Sequence, residues 1–154
     1  MPTLYEALLF VHIVGAIVWI GGAVMHLALM QLAKRSGSRA DMVKLLGYDD
    51  RLGPVLYVPA GLVVLLAGIG LVLEGGWEWD QGWIIAGLVL LGVAYVGGAA
   101  YFLPAGKRLQ RALASDGEES EAVERIVVEI ERVAKLDLVI LLAAVYVMIA
   151  KPGL

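Results

Sequence analysis

The sequence contains only two histidines, and both lie in one long apolar stretch near its start. His12 and His26 are fourteen positions apart, which on a helix places them ~40° apart around the axis and ~21 Å apart along it. An imidazole is costly to bury in hydrocarbon, so a histidine in such a stretch is a candidate functional residue. These two side chains are therefore the first candidate ligands for a metal or a cofactor.

Three residues between the histidines share their helix face, because Gly15, Trp19 and Gly22 follow at alternating spacings of three and four. A haem inside a helical bundle needs an imidazole ligand and small residues that let the ring approach the backbone. The stripe therefore predicts haem b bound by His12 and His26, with Gly15, Trp19 and Gly22 beside the ring. The alternative is that the glycines are close-packing points and each histidine bonds to a neighbouring helix.

The number of histidine ligands that two haems require extends this hypothesis to a dimer. Two haems with two histidine ligands each would need four histidines, and a homodimer with facing first helices would supply them. Haems near the two membrane faces predict transmembrane electron transfer, with a quinone or a redox protein as partner. If the protein is an enzyme, it would be a haem-dependent membrane oxidoreductase, for which the sequence identifies no catalytic residue.

Two other functions are open. Copper(I) prefers thioether and imidazole ligands, so Met25 and Met30 together with His12 and His26 predict a copper-handling or transport protein as the competing possibility. A helical scaffold or accessory subunit without a cofactor is the third. No nucleophile motif, phosphate loop or general acid and base pair points to another chemistry.

The composition indicates the elements that position these side chains. Hydrophobic residues make up 60% of the chain and charged residues 18%, against about 45–50% and about 25% in soluble domains. The chain has four apolar runs, each roughly long enough to form a membrane helix. The sequence therefore predicts an all-α, four-helix transmembrane bundle as a single domain over 1–154, with spans at about 4–32, 55–73, 83–103 and 136–150.

Charge patterning predicts an orientation. All but one of the twelve lysines and arginines follow span one or span three, so the positive-inside rule places both basic loops in the cytoplasm and both termini on the other side. We expect a bacterial inner-membrane protein. Residues 120–135 are amphipathic and predict a cytoplasmic helix before span four, with Ser120 as N-cap. Asp137 is interpreted as a helix-end charge. The absence of a polybasic tract indicates no binding to nucleic acid.

The residues from Val11 to Gly22, Val-His-Ile-Val-Gly-Ala-Ile-Val-Trp-Ile-Gly-Gly, resemble the first span of a family of small bacterial membrane proteins. Residues 59–68, Trp83 and the closing Lys-Pro-Gly are also similar to that family. It includes copper-resistance D proteins, J-type protoporphyrinogen oxidases and predicted integral membrane proteins of unknown function, which this chain resembles most. The resemblance implies a four-helix fold and a haem ligand at His12.

The oxidases differ from this chain at two places. Residues 25–28 read Met-His-Leu-Ala where the oxidases have Tyr-Leu-Pro-Arg, and Gly87 stands where they have a lysine. The resemblance therefore does not imply porphyrinogen oxidation.

Overall fold

A computed structural model describes residues 3–37, 39–117 and 120–152. The described chain is helical throughout apart from its turns, which confirms the all-α prediction. The helices are α1 (Leu4–Ser36), α2 (Arg39–Leu52), α3 (Val58–Glu74), α4 (Gly82–Asp116) and α5 (Glu121–Ala150), and a π-helical turn over Gly53–Tyr57 joins α2 to α3.

Local sequence signals account for the helix ends. Thr3 and Glu6 form a capping box at the start of α1, and Gly37 ends that helix with φ 70°, a conformation that glycine adopts without strain. The Ser120 hydroxyl accepts the Val123 N–H, which confirms the predicted N-cap of α5. Pro59 lies in the first turn of α3, directly after the π-helical turn, and it has no backbone N–H to donate to that turn.

The segment between the first two spans differs from the short loop expected of it. Residues 39–52 form α2, because Met42 and Leu46 recur at helical spacing and are both buried against α1, α4 and α5. The amphipathic stretch 121–135 is helical but is not a separate element. It continues into the fourth span, since no glycine or proline interrupts the chain between Glu121 and Ala150.

Four helical stretches are long and apolar enough to cross a membrane, namely α1, the run Ala40–Glu74, α4 and α5. Successive long helices run in opposite directions: Leu8 of α1 reaches Gly70 near the end of α3, while Met30 packs with Ala105 of α4. The helices pack chiefly as the pairs α1 with α3 and α4 with α5. The two pairs meet mainly through α1 and α5, whereas α3 and α4 scarcely touch.

The bundle has two chemically different ends. At the tryptophan end, Lys151 lies 4.1 Å from the Trp77 ring centroid and 5.0 Å from that of Trp83. At the basic end, α2 and the extensions of the long helices enclose an apolar cluster. Its buried members are Met30, Met42, Leu46, Ala105, Leu109, Val123, Val127 and Ile130. A smaller cluster in the middle of the bundle contains Trp19, Ala60, Val64, Ala94 and Leu141.

Candidate functional site: an intramembrane cleft beside a closed seam

His12 lies in the α1–α3 seam, the contact surface between those two helices. Its Nδ1 is 2.9 Å from the backbone oxygen of Val64, and because that oxygen only accepts, Nδ1 must carry the proton. A Cβ on Gly68 would lie 3.2 Å from the His12 ring, so the glycine lets the imidazole approach α3 closely. In the neutral ring Nε2 is then unprotonated, and histidines that bind metals commonly have this arrangement.

The glycines of the predicted stripe are contact points in this same seam. A Cβ on Gly15 would lie 3.0 Å from a Val64 methyl carbon, and one on Gly22 would lie 2.9 Å from the Tyr57 ring. Both positions are tighter than ordinary van der Waals contact, so α3 side chains and Tyr57 already fill the space beside the glycines. The geometry at Gly15 and Gly22 is that of close helix packing.

The cleft is separate from the seam and is lined chiefly by α1, α4 and α5, with Val58 at the start of α3 also in its lining. It has a volume of about 220 Å³ and is lined by residues from every long helix and from α2. Its chemically distinctive lining residues are Trp19 and His26 of α1, Tyr57 of the π-helical turn, Tyr95 and Phe102 of α4, and Asp137 of α5. The structure therefore brings His26 and Trp19 into the cleft and leaves His12, Gly15 and Gly22 in the seam.

Four of the α4 residues that line the cleft are small: Ala94, Gly98, Ala99 and Gly106. Among the described residues, a Cβ on Gly98 would meet only the Phe102 ring of its own helix, at 3.8 Å. No described atom of another helix lies within 4 Å of that point. The α4 wall is therefore open at Gly98, unlike the glycine positions of the seam.

Two of the aromatic rings that line the cleft contact each other near the middle of the bundle. Trp19 and Tyr95 meet edge to face, with ring centroids 5.9 Å apart, a favoured geometry for aromatic pairs. The Tyr95 hydroxyl donates a long hydrogen bond of 3.5 Å to the Val58 backbone oxygen. This end of the cleft is thus held by contacts between α1, α3 and α4.

Asp137 is the one charged residue among the described residues that line the cleft. It is half-buried, and none of the residues that the structure describes gives it a hydrogen bond or an ion pair. The nearby Lys135 pairs instead with Glu131, at 2.6 Å. The interpretation of Asp137 as a helix-end charge missed its position facing the cleft, because the sequence does not show which helices lie opposite it.

A polar cluster at the basic end holds α1 against α5. Glu131 is 4% exposed and accepts hydrogen bonds from Gln31 at 2.8 Å, from Lys135 at 2.6 Å and from Lys34. Glu131 precedes the fourth apolar run, and the hydrogen bonds from Lys135 and then Lys34 lower the pKa of its carboxyl. Sequence reasoning missed this residue, although it lies four positions after Val127 on the apolar face of α5.

The structure does not gather the proposed copper ligands at one point. Within the described ranges, no group of three histidine, cysteine or acidic side chains could hold a metal ion. Met25 is 61% exposed, whereas Met30 is fully buried in the basic-end cluster. His12 and His26 are separated by ~21 Å along α1.

Comparison with known proteins gives one match. Residues 6–152 match the model of a family described as predicted integral membrane protein (DUF2269). No curated protein and no solved structure matches the chain. The family match covers nearly the whole bundle, including both the seam and the cleft.

Proposed function

Since the chain belongs to this family of integral membrane proteins, we propose that it binds, in the cleft, a lipophilic molecule with a planar ring that enters from the bilayer. The observation that carries this proposal is the open α4 wall at Gly98, which faces unfilled space while side chains from other helices converge around it. Small-molecule sites are mostly apolar concavities with a few polar groups, and the cleft has this composition.

The position of the cleft suits a ligand from the membrane. Its α4 wall runs from Ala94 to Leu109, a rise of ~22 Å, from the middle of the bundle to the basic end. In a bilayer, a gap between two neighbouring helices opens sideways to acyl chains, so a lipophilic molecule enters without crossing water. The positive-inside rule favours a basic end that faces the cytoplasm. The polar residues that line the cleft would then lie in the inner half of the membrane.

Each distinctive side chain has a role in this proposal. Trp19, Tyr95 and Phe102 offer faces and edges against which a planar ring packs. The His26 imidazole provides a hydrogen-bonding group in an otherwise apolar wall of α1. Because Gly98 has no side chain, the ring can lie close to the α4 backbone at that position.

The test compares two adjacent glycines of α4. Gly98 lines the cleft, whereas Gly97 is exposed, does not line the cleft, and has no neighbouring side chain within 4 Å of the point that a Cβ would occupy. In equilibrium dialysis in detergent, we expect Gly98→Leu to weaken binding of pyrene roughly tenfold because the leucine fills the cleft. Gly97→Leu should bind like the wild type. Equal pyrene binding by the two variants would contradict the proposal.

Haem b held by His12 is the second candidate, and the hydrogen bond to Val64 favours it. His12 would bind the iron through Nε2, with Nδ1 fixed by the backbone oxygen, and the haem would supply one-electron chemistry. The stripe fits such a ring less well, because side chains of α3 and Tyr57 occupy the space beside Gly15 and Gly22. Two equivalent haems, a facing homodimer and a quinone partner stay predictions.

Absorption spectra of the protein from haem-sufficient cells test this second candidate. A Soret band that His12→Ala abolishes and His26→Ala preserves would support it, and a colourless wild type would rule it out. Metal analysis of the same sample tests copper, which no observation on the described residues favours. A colourless, metal-free protein that also fails to bind pyrene would leave the scaffold hypothesis.

A further inference from the structure

The charge that the structure describes in the lining of the cleft has one sign. Among the described lining residues, Asp137 is the single charged one, and none is a lysine or an arginine. An ionised carboxylate in apolar surroundings is costly unless an opposite charge accompanies it. Neither of the nearby basic side chains lines the cleft, since Lys135 binds Glu131 and Arg132 is exposed. A bound molecule that carries a positive charge would supply the missing partner.

The aromatic lining favours the same sign of charge. Trp19, Tyr57, Tyr95 and Phe102 all line the cleft, and the face of an aromatic ring attracts a cation within about 6 Å of its centre. Among the described lining residues, an anionic ligand would meet a carboxylate and no basic side chain. Fatty acids and the propionate groups of haem are therefore poor occupants of this particular cleft.

From these two observations we infer that the ligand of the cleft is a lipophilic organic cation, paired with the Asp137 carboxylate and enclosed by the aromatic rings. This inference rests on the proposed function of the cleft and specifies the class of molecule it takes. Such a molecule combines a delocalised or quaternary positive charge with enough apolar surface to dissolve in a bilayer. Neither His26 nor the tyrosines need ionise for it to bind.

Two probes of the same shape and opposite charge test the inference. Tetraphenylphosphonium is a permanent cation and tetraphenylborate is a permanent anion, so a cleft that only selects for size would bind both. We expect detergent-solubilised wild type to bind the phosphonium with roughly tenfold or greater preference over the borate. Equal affinity for the two probes would overturn the inference.

Three variants identify the carboxylate responsible. Asp137→Asn should lose the preference for the cation, whereas Asp137→Glu, which keeps the charge, should retain it. Asp80→Asn is the matched control, because Asp80 is exposed in the loop at the tryptophan end and does not line the cleft. A preference that survives in Asp137→Asn would contradict the inference.

Pyrene separates this inference from the proposed function. If Asp137→Asn still binds pyrene but no longer prefers the phosphonium, the variant is folded and both proposals stand. If wild type binds pyrene and treats the two ions alike, the cleft binds ring molecules without selecting cations. If Gly98→Leu leaves pyrene binding unchanged, the proposed function itself fails.

Discussion

The α1–α3 seam and the cleft are built from the same kinds of residue, yet one is closed and the other is open. Each combines a histidine of α1 with small residues on a facing helix: His12 with Gly68 in the seam, and His26 with Gly98 in the cleft. In the seam, the His12 ring lies against Gly68 and bonds to the backbone of α3. In the cleft, none of the residues that the structure describes on another helix comes within 4 Å of the point that a Cβ on Gly98 would occupy. A glycine on a membrane helix is thus a contact point or a binding surface according to what lies opposite it.

The largest effect should come from adding bulk to the closed side. A Cβ on Gly15 would lie 3.0 Å from a methyl carbon of Val64 and 3.1 Å from one of Val63. Overpacking of this kind costs about 1–3 kcal/mol or more. We expect Gly15→Leu to lower the unfolding temperature in detergent markedly, and Gly98→Leu to leave it unchanged or raise it. If both variants unfold alike, the distinction between seam and cleft is wrong.

The Glu131 cluster should show the next largest effect, because it ties the two helix pairs together at the basic end of the cleft. Glu131→Gln removes the charge that receives Lys34 and Lys135, and since both lysines are partly exposed we expect a loss of about 1–2 kcal/mol. Glu129→Gln is the control, because its 3.6 Å pair with Arg108 is exposed and should contribute little. Equal effects of the two substitutions would contradict the role of Glu131.

The same carboxylate predicts a dependence on pH. Its pKa is lower in the folded protein than the ordinary value of 4.5. Its contribution to stability is therefore fully present above that value and is lost as the pH falls through the lowered pKa. As the pH is lowered from neutral to acid, the difference in unfolding temperature between wild type and Glu131→Gln should shrink. A constant difference across this range would contradict the assignment.

The smallest effects are expected from substitutions of the two histidines, which should differ from each other. His12→Ala removes the hydrogen bond to Val64 and the ring packed on Gly68, so we expect a loss of about 1 kcal/mol with pyrene binding retained. His26→Ala should weaken probe binding, because the imidazole lines the cleft. Loss of probe binding in His12→Ala, with the fold intact, would show that the seam takes part in the site.

The sequence predicts some of these features because their physics is local. Four long apolar runs specify four membrane helices, since a backbone in lipid must satisfy its own hydrogen bonds. The N-cap at Ser120 is likewise set by its immediate neighbours. Helical spacing also places His12 and His26 on nearly the same face of α1.

The remaining features depend on contacts between distant segments. Residues 39–52 include six charged side chains, and α2 is stabilised because Met42 and Leu46 pack into a cluster built by three other helices. His12 meets Val64 and His26 meets the cleft because α1 has different neighbours at the two depths. Asp137 is a cleft residue for the same reason. Spacing along one helix gives the direction of a side chain but not its partner.

The most direct measurement of the central claim is the position of a bound ring in an experimental structure of the protein with 1-bromopyrene. Anomalous scattering from bromine marks the ligand independently of the surrounding lipid and detergent. We predict a bromine site against Gly98 of α4, within the residues of α1, α4 and α5 that line the cleft. Bromine found only on the outer, lipid-facing surface, or in the α1–α3 seam beside His12, would contradict the account.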